Sequence, residues 1–406
     1  KWRSSVYGSV DHNLYDTSRG VLNRIYSNLT AAQTNQASSL TAFNSDGFSL
    51  GGTSGTNGSG ATYVSWTFRK KSKFFDIVTY TGNGVAGREI PHNLGSVPGC
   101  VIIKSINGET NWPTWHRGMA TDQVVFLNTT DAKYAEGDFY ATAPTSSVFT
   151  VYSNGRVNGS GSTYVAYLFA HDAGGFGLTG SDNVISCGTY TGNGAAGGQL
   201  INLGYEAQWV MIRDVGSGYN WWMVDIMRGY QNSTSDYGGD NSIDANGSAG
   251  DANQVIGHPS AQGFTAVQDN VNQSGQTYIY MAIRRGPMKV PTVGTSVFGI
   301  AYEGSTTPAV QSSFPIDFGI WTRKDLTSDK KISSRLQGPK KMYANYTTAE
   351  ESDDANLKWD YQNGYKVSVG ASGDVDINWM FRRAPGFFDV VCFKGTGANG
   401  LQVNHN

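Results

Sequence analysis

Charged side chains are scarce in this chain: Asp, Glu, Lys and Arg make up 15% of its 406 residues, against roughly 25% in an average soluble protein. The charge that is present nearly cancels, with 30 basic and 32 acidic residues for a net of −2. No global field therefore draws the chain to nucleic acid or anionic lipid. Cysteine is nearly absent. Cys100, Cys187 and Cys392 form an odd, unrepeated set, which excludes a disulfide framework and predicts small buried apolar residues. Neither Cys-x-x-Cys nor His-x-x-x-His spacing occurs, so no metal site and no cofactor is expected. Long apolar runs are missing too; none approaches the roughly 20 residues of a spanning helix, and no membrane insertion is expected.

What the chain has instead is glycine, 52 residues of it, nearly twice the usual roughly 7%. Ser, Thr, Asn and Gly supply the polar surface and aromatic residues the interior, as in an exposed, turn-rich β protein. The chain also repeats itself. Thr-Tyr-Val-Ala-Tyr-Leu-Phe-Ala at 163–170 has counterparts in Thr-Tyr-Val-Ser-Trp-Thr-Phe-Arg at 62–69, Thr-Tyr-Ile-Tyr-Met-Ala-Ile-Arg at 277–284 and Val-Asp-Ile-Asn-Trp-Met-Phe-Arg at 375–382. A period of roughly 100 residues is that of one small domain, and it sets every later assignment.

The period divides the chain into 1–73, the C-terminal part of a first repeat; 74–175, 176–291 and 292–386, three further repeats; and 387–406, the opening strands of a fifth. The second is the template: short apolar strands separated by Gly/Asn/Ser turns, the signature of antiparallel β-sandwiches rather than βαβ units. The predicted fold is all-β, in tandem jelly-roll-like sandwiches. One helical segment is expected within 21–40, where Leu22, Ile25, Tyr26 and Leu29 recur at helical spacing. The stretch 231–253 and the Lys-rich stretch 324–341 are expected to be surface loops. Because 387–406 supplies what 1–73 lacks, the ends are complementary. Either the chain is a piece of a longer repeat protein, or its last strands complete the first repeat of the next molecule in a head-to-tail fibre.

No catalytic constellation repeats. His92 in Ile-Pro-His-Asn-Leu-Gly is expected to pair with backbone at a turn, and no carboxylate or nucleophile recurs beside His116. The turns at 81–84 and 191–194 are not followed by a helix pattern, so they are no phosphate loop. Acidic residues at 236–251 offer oxygen ligands for calcium but lack EF-hand spacing. The aromatic positions are the best binding candidates. Trp2, Trp112, Trp221 and Trp321 recur near one point of each repeat, and with Trp115 and Trp222 they are candidates for stacking on a sugar, the alternative being that they cap the core.

The phrases at 74–84, 90–95, 98–104, 144–151 and 163–170 resemble the repeated β domain of uncharacterised function found in large virion proteins of marine tailed phages, particularly those of cyanobacteria. The second repeat carries the whole pattern, and the fourth departs from it furthest. The resemblance implies a non-enzymatic virion appendage or tail-fibre-like protein, partnered by other copies of itself or other virion proteins and reaching a host-surface glycan through its loops. Two other classes remain: a carbohydrate-binding array of a cell-surface adhesin, for which the tryptophans are the feature, and a polysaccharide depolymerase, which requires two close carboxylates in a groove.

Overall fold

The computed structural model describes residues 10–230, 240–250, 252–254, 256–286, 289–305, 308–325, 327–353, 356–359, 361–367, 375–393, 395, 397, 399–403 and 405. The fold is all-β with several antiparallel sheets. Its α-helices among the described residues are single turns, Ser54–Asn57, Gly155–Asn158 and Asp269–Asn272, and none is long and apolar enough to cross a membrane.

Three repeats share one sheet order. In the second, strand Thr163–Ala170 lies between Phe75–Thr81 and Pro98–Ser105, and the sheet continues through Pro113–His116, Gln123–Phe126 and Tyr134–Ala135. The third places Thr277–Arg284 between Ile185–Thr191 and Ala207–Asp214, and the fourth places Asp376–Phe381 between Phe298–Tyr302 and Phe318–Arg323. A smaller sheet covers one face of each, Arg88–Pro91 with Val148–Val151 in the second and Gln199–Asn202 with Gly263–Ala266 in the third. The second repeat shows why the central strand is an unbroken apolar run. Tyr164 stacks on Tyr80, which meets Phe149 of the small sheet, while alternate residues on the strand's other face are buried against other repeats. A strand buried on both faces loses the apolar/polar alternation of a half-exposed one.

The tyrosine at the second place of that strand has a local task as well. The Tyr164 hydroxyl accepts from Gly159 N at 2.7 Å and donates to the Gly155 carbonyl; Tyr63 does the same for Gly58 and Ser54, and Tyr278 for Gln273 and Asp269. Each ties a one-turn helix to the segment that follows it, a strand in the second and third repeats and chain outside any sheet at 62–69 in the first. The helix in turn holds the Gly-Asn-Gly turn: buried Asn158 and Asn272 accept from the backbone N–H of Asn83 and Asn193. A Cβ on Gly82 would stand 2.2 Å from the Gly159 carbonyl oxygen, so glycine here permits close backbone approach.

Three expectations fail. The segment 21–40 is not helical: Asn23–Tyr26 is a strand pairing Ile25 with Leu14 and turning Ile25 fully into the core, while Leu22 and Leu29 lie in the turn and loop flanking it. Four strand residues between bends imitate helical spacing. The Lys-rich stretch 324–341 contains strands Lys331–Ser334 and Lys340–Tyr343; Lys340 and Lys341 reach out to Glu350 and Asp353, which masks the strand pattern. The stretch 231–253, predicted as loop, includes Asp240–Asp244 and part of Ala252–Gln254, paired with each other. Residues 231–239, like Trp2 and Asp236 and Asp251 of the acidic stretch 236–251, lie outside the described residues.

Candidate functional site: the joints between repeats

The first three repeats share a core. Val64, Trp66 and Phe68, then Val165, Tyr167 and Phe169, then Ile279, Met281 and Ile283 stand at the third, fifth and seventh places of three equivalent segments, and all nine belong to or pack on one apolar cluster. Hydrogen bonds link the repeats in a cycle. Between first and second, Gln33 N donates to the Ile106 carbonyl at 2.8 Å; between second and third, Lys133 N donates to the Val215 carbonyl at the same distance. Between third and first, the Ser27 hydroxyl donates to the Ala245 carbonyl at 3.4 Å, and the Trp66 indole donates to Asp225.

Buried cations cap these joints. Lys104 ends an apolar strand, and its ammonium donates to the carbonyls of Thr30 in the first repeat at 2.8 Å and of Gly108 and Thr110 in its own at 3.1 and 3.0 Å. Burial lowers its pKa to about 8. Arg213 holds the same place in the third repeat and donates to the carbonyls of Thr129, at 3.0 Å, and Asp131 in the second. Burial lowers it to about 10. Three N–H bonds on three carbonyls satisfy an ammonium, and a guanidinium fork spans two neighbouring carbonyls.

The tryptophans complete the joints. The Trp112 indole donates to the Leu29 carbonyl of the first repeat at 3.0 Å, and Trp221 to the Phe126 carbonyl of the second at 2.8 Å. Their backbone N–H groups are taken by Asn128 and Asn246, as that of His12 is taken by Asn28, so His12 stands where Trp112 and Trp221 stand. Sugar stacking requires an open ring face, and here the prediction is corrected: Trp112, Trp115, Trp221, Trp222 and Trp321 are at most 5% exposed. Trp321 is not even equivalent to the others. It pairs with Asn378 in the sheet, the place of Ile103 opposite Ala166 and of Ile212 opposite Tyr280.

A third set of links lies at the end of strands Pro113–His116 and Trp222–Asp225 and at the equivalent place of the first repeat, where three chemistries serve one position. Asp16 of the first repeat accepts from the Tyr167 hydroxyl of the second at 2.7 Å. His116 of the second bonds the Tyr280 carbonyl of the third at 3.1 Å through Nε2, and its Nδ1 accepts from Gly118 N. These partners assign the proton to Nε2 of a neutral ring, and burial lowers the pKa to about 3. Asp225 of the third accepts from Trp66 of the first at 3.1 Å. Asp16 and Asp225 are each clasped by an arginine three residues on, Arg19 and Arg228.

A different joint holds the fourth repeat. Arg383 donates to Glu206 at 3.0 Å and lies 3.8 Å from Asp317; Arg285 donates to Asp389 at 2.9 Å and lies 3.5 Å from Glu206. Arg335 lies 3.6 Å from Asp317. Burial raises the Glu206 pKa, against the pull of Arg383 and Arg285. The C-terminal segment lies on the third repeat, where Ala261 N donates to the Cys392 carbonyl at 3.3 Å, and together they border a cleft of about 510 Å³. Cys100 and Cys187 are buried thiols and Cys392 is half-buried. His92 bonds backbone on both sides, at Leu94 and Thr145. Among the described residues no three His, Cys, Asp or Glu side chains converge as metal ligands.

The joints were missed in the sequence because a lone Lys or Arg ending an apolar run reads as a strand terminus. The detectable signal was the pairing of Lys104 with Trp112 and Arg213 with Trp221 at equal spacing. No curated protein and no solved structure matches the chain. A family profile does match, over residues 1–287, the three repeats that share the core, and the chain therefore belongs to DUF7483, a domain family of unknown function.

Proposed function

We propose that the chain is a non-catalytic structural protein of a virion appendage, tail-fibre-like, in which tandem β repeats form a rigid body and non-repeating loops face outward. One observation carries the reading: the recurrent polar side chains, Lys104, Arg213, His116, Asp16 and Asp225, are engaged in joints that lock three repeats around one core. Such locking makes a stiff building block with little charge on it, and loops can vary on it without disturbing the sheets. The sequence resemblance of the second repeat to virion domains of marine tailed phages supplies the location. Contact with a host-surface glycan falls to the loops, since Trp112, Trp115, Trp221, Trp222 and Trp321 are inside.

The test is immunogold electron microscopy of particles of a tailed phage encoding this chain, with antibody raised against it and mass spectrometry of the same preparation. Label on an appendage and peptides from the chain are expected. Particles with neither would overturn the proposal.

A further inference from the structure

The face of the large sheet that looks into the shared core in the second and third repeats, where segment 64–68 of the first also packs, exists in the fourth, where it is open. Equivalent places show the difference. Ile77 pairs with Tyr167, Cys187 with Met281 and Ile300 with Trp379; Ile77 is 8% exposed and Cys187 0%, but Ile300 is 57%. On the same face Tyr302 is 59% exposed, and Ile320, Ile332 and Trp379 are half-buried. This is a contiguous apolar patch on a sheet, the kind of surface that marks an interaction site.

What covers such a face is visible in the same molecule: the same face of one other repeat and the equivalent segment, 64–68, of the first. The aromatic end of the patch repeats the pattern. Phe381 meets Phe387 and Phe388 as Phe68 meets Phe74 and Phe75. Phe68 is then closed edge-on by Phe169 of the second repeat and Trp209 of the third. The polar clamps are not repeated, for Thr322 stands at the place of Lys104 and Arg213 and Ser334 at that of His116 and Asp225. Contact through this face therefore rests on apolar burial.

We propose that the open face of the fourth repeat is an assembly surface closed by the same face of two other copies of this chain, giving a trimer about its fourth repeats. A closed ring of three equivalent segments, 64–68, 165–169 and 279–283, is the arrangement the first three repeats adopt within one chain, and closure limits the assembly to a finite number of copies. The inference stands apart from the virion reading, since it concerns self-association wherever the protein resides.

The test is the solution mass of the 406-residue chain by light scattering over a dilution series, with Ile300→Asp and Tyr302→Ser as variants and Leu200→Asp as control. Ile300 and Tyr302 are already exposed, so the substitutions leave the repeat folded, which an unchanged β circular-dichroism spectrum checks. Leu200 is an exposed apolar residue of the third repeat's small sheet. Expected are three times the chain mass of 43.7 kDa for wild type and control, and at least a tenfold higher dissociation midpoint for each variant. A monomer or dimer in wild type, or a trimer indifferent to Ile300→Asp, would overturn the proposal, as would mass that grows without limit.

Discussion

Trp66 and Asp225 stand 159 residues apart in sequence, and the indole of one donates to the carboxylate of the other at 3.1 Å. The Arg228 guanidinium, which also holds Asp225, lies 5.1 Å from the centre of the Trp66 ring. This contact joins the third repeat back to the first. Trp66→Phe removes the donor while keeping an aromatic ring, and leaves Asp225 with Arg228. The expected loss is about 1–3 kcal/mol, the range for a buried acceptor deprived of one partner. Urea unfolding measures it, and hydrogen exchange locates it: amides of Trp222–Asp225 should lose protection while those of Asp376–Phe381 keep theirs. Equal loss in both strands would show that the contact does not act as a local joint.

Lys104 is the second test of the ring. Lys104→Met keeps the apolar stem and leaves the carbonyls of Thr30, Gly108 and Thr110 without their shared donor. A loss of about 2–4 kcal/mol is expected for buried polar groups so stranded. Lys104→Arg should not restore it, because a planar fork cannot direct three bonds as an ammonium does. For the same reason Arg213→Lys should cost stability at the neighbouring joint. Denaturant midpoints of the three variants decide the matter; full stability of Lys104→Arg would mean that charge alone is required there.

His116 predicts an acid dependence with a definite sign. Its pKa is about 3 in the fold against 6.5 unperturbed, so between these values the unfolded chain binds the extra proton. Its contribution is therefore fully present above about pH 6.5 and is lost as pH falls towards 3, at up to about 1.4 kcal/mol per pH unit. Protonation of Nδ1 would also remove the acceptor that Gly118 N uses. His92 and His171 are lowered as well, burial being the first cause in each, so the informative quantity is a difference. His116→Gln should flatten the fall in unfolding free energy between pH 6.5 and 4 relative to wild type. Parallel profiles would show that the ring titrates freely.

Much of the fold was legible in the sequence because sandwich strands bounded by Gly/Asn turns announce themselves, and Thr163–Ala170 recurs often enough to set a period. The association of repeats was not legible. The same residues that make this strand central within its sheet, Val165, Tyr167 and Phe169, also make it the face turned to its neighbours, and an apolar residue in sequence does not say which body it is buried against. Trp112 shows the limit from the other side. Its recurrence suggested a surface for a ligand, but a tryptophan with one N–H and a large apolar ring suits equally a joint where the acceptor is a backbone carbonyl of the preceding repeat. Trp321 shows that likeness of residue type is not likeness of place: pairing register assigns it to the core of the fourth repeat, where it packs against Tyr365.

The link between the third and fourth repeats depends on charge balance in a buried place. Glu206 faces Arg383 and Arg285, and Asp317 faces Arg383 and Arg335; removal of one member leaves an opposite charge without compensation. Glu206→Gln is accordingly expected to weaken the docking by about 3–5 kcal/mol, more than an exposed pair would. The effect should appear as separate unfolding of the fourth repeat and as faster proteolytic cleavage between Arg285 and Gly294 than in wild type. Being shielded from solvent, the cluster should hold nearly as well in 1 M salt as in 0.1 M. Pairing Glu206→Gln with Arg383→Met removes both charges, and the double variant should recover part of the loss. If the two losses simply add, the coupling between Glu206 and Arg383 is absent and the docking is due to the apolar contact of Leu336, Val390 and Cys392 with the third repeat's core.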